Sequence, residues 1–419
     1  MTLQWLRSVK GLQGLQVLFI HQNFPGQFVH LAPALQTAGA GVKALAIGGR
    51  GIKGVDTRRY AVKTKPILPS HDLGADIEVK LRRASACAEA MQALKAEGFQ
   101  PNIVIAHPGW GESIFCKDIW PHAQLIAYGE FYYQAEGADH GFDPEFSHES
   151  VAARMRLRMR NTALLHAYSA ADAILCPTLW QKSVLPQELQ NKTTTIFDGI
   201  DTKLLAPNAN ATIRLGRSGQ IFKVGDPVIS FVNRNLEPYR GFHVFMRMLP
   251  ALLERQPKAH VVIVGEDGVS YGSQPQGQST WRAALLQEVG AQLPMDRIHF
   301  VGRVAYADYL KLLQVSACHV YMTYPFVLSW SCIEALSTGC MVVASRTPPV
   351  LDAIDDRKNG RLVDFFDQPG WCDAIAQVLD HGDEVGSLRQ AARDRACQQF
   401  DLHTVCLPQQ MRWIASLVA

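Results

Sequence analysis

Very little in the sequence marks a specialised scaffold. Nine cysteines are scattered over 419 residues, with no Cys-x-x-Cys pair and no Cys/His group at zinc spacing. That excludes a disulfide framework or zinc cluster and predicts reduced thiols in a cytosolic protein. No window holds about eighteen consecutive apolar residues, so no membrane-spanning helix is predicted. Charge of one sign is also lacking: 41 Lys and Arg against 38 Asp and Glu leave +3, too little to predict a nucleic-acid partner. The turn after the first apolar run carries no Gly-x-Gly-x-x-Gly and no Walker lysine, so it is neither a standard dinucleotide nor a nucleoside-triphosphate loop. No Asp-x-Asp pair is present to hold a bridging metal. The N-terminus carries Arg7 and Lys10 ahead of a short apolar run at 17–20. No small-residue cleavage site follows, so the run reads as a first β-strand and not a signal peptide.

What is there is alternation. The length predicts two or three domains, and short Val/Ile-rich runs alternate with longer helical stretches, the pattern of parallel α/β sheets. In the first half strands are predicted at 17–20, 42–47, 103–107, 124–128 and 173–176, with helices near 28–38, 78–97 and 147–170. The segment 197–220, "FDGIDTKLLAPNANATIRLGRSGQ", breaks the rhythm and reads as a linker. Strands then resume at 228–232, 260–264, 298–301, 319–322 and 341–344, with helices at 243–255, 307–315 and from about Ser331. Two Rossmann-like domains follow, 1–205 and 206–400, and ligands in such sheets sit beyond the carboxyl ends of the strands.

The unusual stretches lie there. After the first strand, Asn23, Pro25 and Gly26 form a tight turn, and Gly26 lets backbone approach a ligand; an ordinary βα turn is the alternative. "NIVIAH" ends in His107, placed to hydrogen-bond a sugar or transfer a proton. "YGEFYYQAEGADHGFDPEF" gathers aromatics, Tyr132 among them, with Glu130, Glu136, Asp139 and Asp143, a composition suited to carbohydrate. "NRNLEPYRGF" places Arg234 and Arg240 on one loop with Gly241, two guanidiniums that can grip a diphosphate. "VGEDGVSYG", with Tyr271, and "HFVGRV", with Gly302, Arg303 and Val304, end two further strands. Ser331-Cys332-Ile333-Glu334 has the form of a capping box, in which Glu334 bonds back to the Ser331 amide. The alternative sets the Ser331 and Cys332 N–H groups on a phosphate and the Glu334 carboxylate on ribose hydroxyls.

Taken in order, "NRNLEPYRGF", "VGEDGVSYG", "RIHFVGR" and "YPFVLSWSCIEALSTGCMVVAS" resemble the second domain of family-4 (group 1) glycosyltransferases. "VLFIHQNFPGQF", "AYGEFYYQAEG" and "IFDGIDTKLLAP" resemble the first domain of a bacterial branch of that family. The resemblance covers roughly residues 15–400 and implies the GT-B fold, two facing Rossmann-like domains with a cleft between them. It also implies a C-terminal helix (401–419) that packs back on the first domain. The implied activity is retaining transfer of a sugar from a UDP- or GDP-linked donor to a hydroxyl on a glycan, lipid-linked or protein acceptor, without metal or cofactor. By resemblance Arg234 and Arg240 bind the donor diphosphate, Glu334 the ribose, Gly26 the phosphates and His107 the transferred sugar. Gly302, Arg303, Ser331 and Cys332 complete the donor site, and Asn23, Glu130, Tyr132 and Tyr271 are candidates for acceptor or sugar.

One departure stands out. The family's first glutamate, eight residues before Glu334, is here Phe326, and Ser329 or the backbone near Leu328 is expected to take its place. Two other readings remain: a GT-B nucleotide-sugar epimerase, and a catalytically weak scaffold subunit, which Phe326 favours and the retained Arg234, Arg240 and Glu334 oppose. Two basic stretches, 50–65 and "RMRLRMR" at 154–160, read as solvated faces, with contact to anionic lipid at the inner face of the membrane or to an anionic acceptor as the alternative.

Overall fold

A computed structural model describes residues 5, 6, 9–63, 71–147, 150–216, 219–381 and 385–418; Arg7 and the end of the basic stretch 50–65, with Lys65, lie outside them. The chain folds as two compact units, Met1–Gly199 with Leu402–Ala419, and Ile200–Asp401.

In the first unit seven parallel strands stand in the order β3-β2-β1-β4-β5-β6-β7. They are β1 Gln16–Ile20, β2 Gly41–Ala46, β3 Asp56–Arg59, β4 Ile103–Ala106, β5 Gln124–Tyr128, β6 Ala173–Cys176 and β7 Thr193–Thr195. The central strands are apolar throughout because both faces are covered: every residue of β4 and β6 is buried. The helix Ala75–Ala96 opens with Asp76 and Glu78 in its first turn, where carboxylates favour the positive end of the helix dipole. The helix expected from residue 147 starts at Val151, because Ser150 Oγ accepts from the Ala153 N–H at 3.1 Å. The stretch expected as one helix over 28–38 is a 3₁₀ turn, Gly26–Val29, followed by the helix Leu31–Thr37.

The strand β3 lies inside the basic stretch 50–65 and was not legible, since "DTRR" has no apolar run. It pairs with β2 as the sheet edge, and its charges are used locally. Arg58 takes Glu97 in a bidentate pair at 2.7 and 2.6 Å, and Arg59 donates to the carbonyls of Gly48 and Gly49. On the helix Val151–Ala170, Arg154, Arg156, Arg158 and Arg160 are exposed; Arg160 lies 4.0 Å over the Tyr133 ring. Among the described residues no helix is long and apolar enough to cross a membrane.

The C-terminal segment belongs to the first unit's core. Leu402, Leu407, Met411 and Ile414 are buried with Leu6, Phe28 and Leu35, and Gln410 Nε2 donates to the Phe197 carbonyl at 2.9 Å. Burying each such side chain is worth about 1.5–3 kcal/mol, so this segment is structural for the unit.

The second unit has six parallel strands in the order β12-β11-β10-β13-β14-β15: β10 Val228–Asn235, β11 His260–Glu266, β12 Ile298–Gly302, β13 Cys318–Tyr321, β14 Val342–Ser345 and β15 Arg361–Val363. The segment read as a linker contains structure instead. Its strand β8, Thr212–Arg214, pairs antiparallel with β9, Ile221–Lys223, and buries Ile213 and Phe222. Strands of three residues are too short to display a period, which is why the hairpin was missed.

Candidate functional site

Each unit carries a polar centre at the carboxyl ends of its central strands. In the second unit β10 runs into the 3₁₀ turn Pro238–Arg240, closed by Gly241 at φ 70°. A Cβ at Gly241 would sit 2.4 Å from Met322 Cβ, so only glycine lets this turn lie against β13. The turn delivers Arg240, which is 7% exposed. Its Nη1 donates to Thr323 Oγ1 at 2.7 Å, the Val327 carbonyl at 3.0 Å and, at a longer 3.4 Å, Tyr321 Oη. Its Cζ lies 5.7 Å from the Tyr271 ring centroid. Every protein partner of this guanidinium is neutral, and its Nε and Nη2 make no hydrogen bond among the described residues. A buried cation held on one nitrogen, with two further donor groups unspent, is organised to receive an anion. Arg234, at the end of β10, is exposed.

Glu334 proves not to be a helix cap. The helix Trp330–Ser337 has Ser329 at its N-cap, with no side-chain cap bond, so Glu334 falls in the second turn and cannot reach back to the Ser331 amide. The Cys332 N–H is taken by the Ser329 carbonyl at 3.2 Å, and the Ser329 and Ser331 hydroxyls bond each other at 2.5 Å. Glu334 instead accepts from Tyr306 Oη at 2.8 Å and Tyr309 Oη at 2.7 Å. Burial pushes its carboxyl up, and the two hydroxyls oppose that shift only in part. Each carboxylate oxygen keeps a second lone pair for a ligand hydroxyl. Gly302, at φ 66°, and exposed Arg303 end β12 just before these tyrosines.

Phe326 is 4% exposed, its ring 4.8 Å from Tyr271 and 5.7 Å from Tyr239. Where the resemblance expects a carboxylate, the wall beside Arg240 is aromatic. A cavity of about 1030 Å³ lies along the outer edge of β12, lined by Ile213, Phe300, Arg303 and Val304. Neither Arg240 nor Glu334 lines it.

In the first unit His107 ends β4 and His21 ends β1, its neighbour in the sheet. The Gly109 N–H donates to His107 Nδ1 at 3.2 Å and the Asn23 N–H to His21 Nδ1 at 2.9 Å. Each neutral ring therefore carries its proton on Nε2. His107 Nε2 meets Glu130 Oε2 at 3.2 Å, while His21 Nε2 meets Gln27 Oε1 at 2.9 Å and Gln27 Nε2 donates to Glu130 Oε1 at 3.0 Å. Both imidazoles are thus engaged at both nitrogens, and both chains converge on Glu130, whose side chain is 33% exposed. Burial raises the Glu130 carboxyl, but its interactions with His107, His21 and Gln27 outweigh that and hold it below the ordinary range. Burial and the neighbouring His107 lower His21 to about 4. A Cβ at Gly26, at φ 51°, would lie 2.2 Å from His21 Nε2, so the glycine makes room for the imidazole. Of the other candidates, Tyr132 packs against the core, Glu136 is exposed beside Arg154 at 3.6 Å, and Asp139 and Asp143 are buried.

Sequence reasoning missed His21, Gln27, Glu237, Tyr306 and Tyr309. The tyrosines had a local signal, an i,i+3 pair on one helix face. Glu237 had only its place before Pro238.

Residues 38–205 match the glycosyl transferase family 4 group, and residues 217–395 the glycosyl transferases group 1. A D-inositol 3-phosphate glycosyltransferase of Corynebacterium urealyticum is 24% identical over 204 residues, 48% of this chain and 46% of the relative. Spore coat protein SA of Bacillus subtilis is 23% identical over 216 residues, 50% of this chain and 55% of the relative. The chain spans about half the length of the curated relatives it matches. Among solved structures, Anabaena Alr3699/HepE in complex with UDP superposes with a TM-score of 0.68 at 15% identity, over 96% of this chain and 100% of that one. Sucrose-phosphate synthase of Thermosynechococcus elongatus gives 0.71 at 16% identity, over 96% and 99%; at such identities the likeness speaks for the fold alone. Two parallel-sheet units, the first matched by the glycosyl transferase family 4 group and the second by the glycosyl transferases group 1, make the chain a glycosyltransferase of group 1 type with the GT-B fold.

Proposed function

We propose that this chain transfers a sugar, with retention of anomeric configuration, from a nucleoside-diphosphate sugar to a hydroxyl acceptor. The observation that carries the reading is Arg240, a buried guanidinium held only by neutral acceptors and carrying unspent donors. Such a group binds a diphosphate and stabilises the negative charge that grows on it as the sugar leaves. Arg234 adds a second positive charge, and with the arginines in that role no divalent metal is invoked. Glu334 takes the ribose hydroxyls. UDP is the first donor base to test, because HepE was solved with UDP and UDP-glucose; GDP is the second.

In the step proposed, the acceptor oxygen bonds to the anomeric carbon on the face from which the diphosphate departs. The carbon–phosphate-oxygen bond breaks, its electron pair goes to the diphosphate, and a phosphate oxygen takes the acceptor proton. A retaining glycosidase route would need two carboxylates about 5 Å apart beside the sugar. The buried carboxylates of the second unit's centre, Glu237 and Glu334, already serve amides and tyrosine hydroxyls. In the first unit Glu130, oriented by His107 and Gln27, accepts a hydrogen bond from a substrate hydroxyl.

A thermal-shift panel of UDP, GDP and ADP tests the donor. A diphosphate at a hundred times its Kd should add about 2.7 kcal/mol of stability. Transfer to a hydroxyl acceptor is then followed with the matching nucleotide sugar, and the anomeric configuration of the product is read by NMR. An epimerised nucleotide sugar, an inverted product, or full rate in Arg240→Ala would overturn the reading.

A further inference from the structure

One carboxylate in the second unit has no part in the site as proposed so far. Glu237 is 1% exposed and has no cationic side-chain partner among the described residues. Its oxygens accept from three successive backbone amides of the loop after β11: Ser270 N–H at 3.0 Å, Tyr271 N–H at 3.2 Å and Gly272 N–H at 2.9 Å. Successive amides converging on one point form an anion-binding nest, and here the protein fills it with its own carboxylate. Through its backbone the same residue holds the other side of the site, because the Glu237 carbonyl accepts the Arg240 N–H at 3.2 Å. Asn235 adds a tie two residues earlier, donating to Ser270 Oγ at 2.6 Å. The loop thus fastened carries Tyr271, whose ring faces the Arg240 guanidinium and packs on Phe326.

We propose that Glu237 is a positioning residue for donor binding: it locks the Ser270–Gly272 loop, and with it Tyr271, onto the turn that presents Arg240. A surface loop of serine, tyrosine and glycine has little burial of its own to order it. Three charge-assisted hydrogen bonds, each worth more than a neutral one, do that before the donor arrives, so binding need not supply the ordering. The inference rests on reading Arg240 as the donor-phosphate ligand.

The test uses the full chain with Glu237→Ala and Glu237→Gln. Glutamine keeps the shape but turns an N–H₂ toward amide donors, and it covers the case in which the alanine variant does not fold. Three readouts are taken: amide hydrogen exchange at 270–272, the Kd for UDP, and the split between KM for the nucleotide sugar and kcat. Expected are faster exchange at those amides and a weakening of UDP binding and rise in KM of roughly tenfold or more, given the sensitivity of site geometry to ångström shifts, with kcat changed less. Acetate supplies the carboxylate that Glu237→Ala lacks; it should restore slow exchange and UDP affinity where equal chloride does not. Unchanged exchange at 270–272, or UDP affinity within about twofold of wild type, overturns the inference while leaving the donor reading to stand on Arg240. A wild-type chain that binds none of UDP, GDP and ADP overturns the donor reading and this inference with it.

Discussion

Arg240→Met separates the site from the fold. The substitution removes the hydrogen bonds to Thr323 and Val327. The Thr323 hydroxyl still donates to the Tyr324 carbonyl at 3.0 Å, and Tyr321 Oη still accepts from the Ser329 N–H at 2.9 Å. The Val327 carbonyl is therefore the one strongly stranded group, at a cost of about 1–3 kcal/mol. Against this, a buried cation with no carboxylate partner is gone, and its desolvation costs several kcal/mol. Methionine is flexible enough to fill the slot beside Tyr271. The net change in stability should be small, within about 2 kcal/mol, or at most roughly 8 °C in Tm at 2–4 °C per kcal/mol. The function should respond very differently. Two unspent charge-assisted donors, at about 1.5–3 kcal/mol each, predict a loss of at least a hundredfold in nucleoside diphosphate affinity and in transfer kcat/KM. The assay is paired thermal denaturation, with and without the diphosphate that stabilises wild type. A variant destabilised by more than about 4 kcal/mol would show Arg240 to be a structural brace. One that kept the ligand-induced shift would show that the phosphates bind elsewhere.

Glu334→Gln should erase discrimination at the ribose: wild type is expected to bind UDP about tenfold more tightly than 2′-deoxy-UDP, a difference of about 1.4 kcal/mol, and calorimetry on the variant should find the two nearly equal. Stability should fall as pH drops from 6.5 toward 4, because His21 and His319 are lowered by burial to about 4. In that window the unfolded chain binds protons that the folded chain refuses. Each histidine contributes up to about 3 kcal/mol to the fall, so denaturant titrations of His319→Asn at pH 7 and pH 4.5 should show a flatter profile than wild type. A profile as steep in the variant would remove His319 from the account.

The strands legible in the sequence were those buried on both faces, where the apolar run coincides with the element: residues 124–128 and 173–176 are β5 and β6 to the residue. Those missed, β3, β7, β8, β9 and β15, are three or four residues long, and most lie at sheet edges, where polar side chains are tolerated and no period develops. The same division runs through the site. Arg234, in the last residues of β10, and Arg240, on the turn that follows and not on one loop with it as expected, could be placed because topology puts ligands at strand ends. The role of Glu334 could not, because a capping box and a second-turn carboxylate differ by a small shift in where the helix begins, and Ser329 sets that start. Its tyrosine partners lie 25 and 28 residues away, and the amides that Glu237 holds lie 33 to 35 away, distances over which sequence carries no local signal. These long-range partners decide the electrostatics. The two buried carboxylates near Arg240, Glu237 and Glu334, serve amides and hydroxyls, and among the described residues neither serves an arginine. Had either formed an ion pair with Arg240, the strand ends would be neutral and the aromatic wall no more than core. Because the carboxylates are satisfied by uncharged donors, Arg240 has no carboxylate partner among the described residues, and that is the feature on which the proposed diphosphate binding rests.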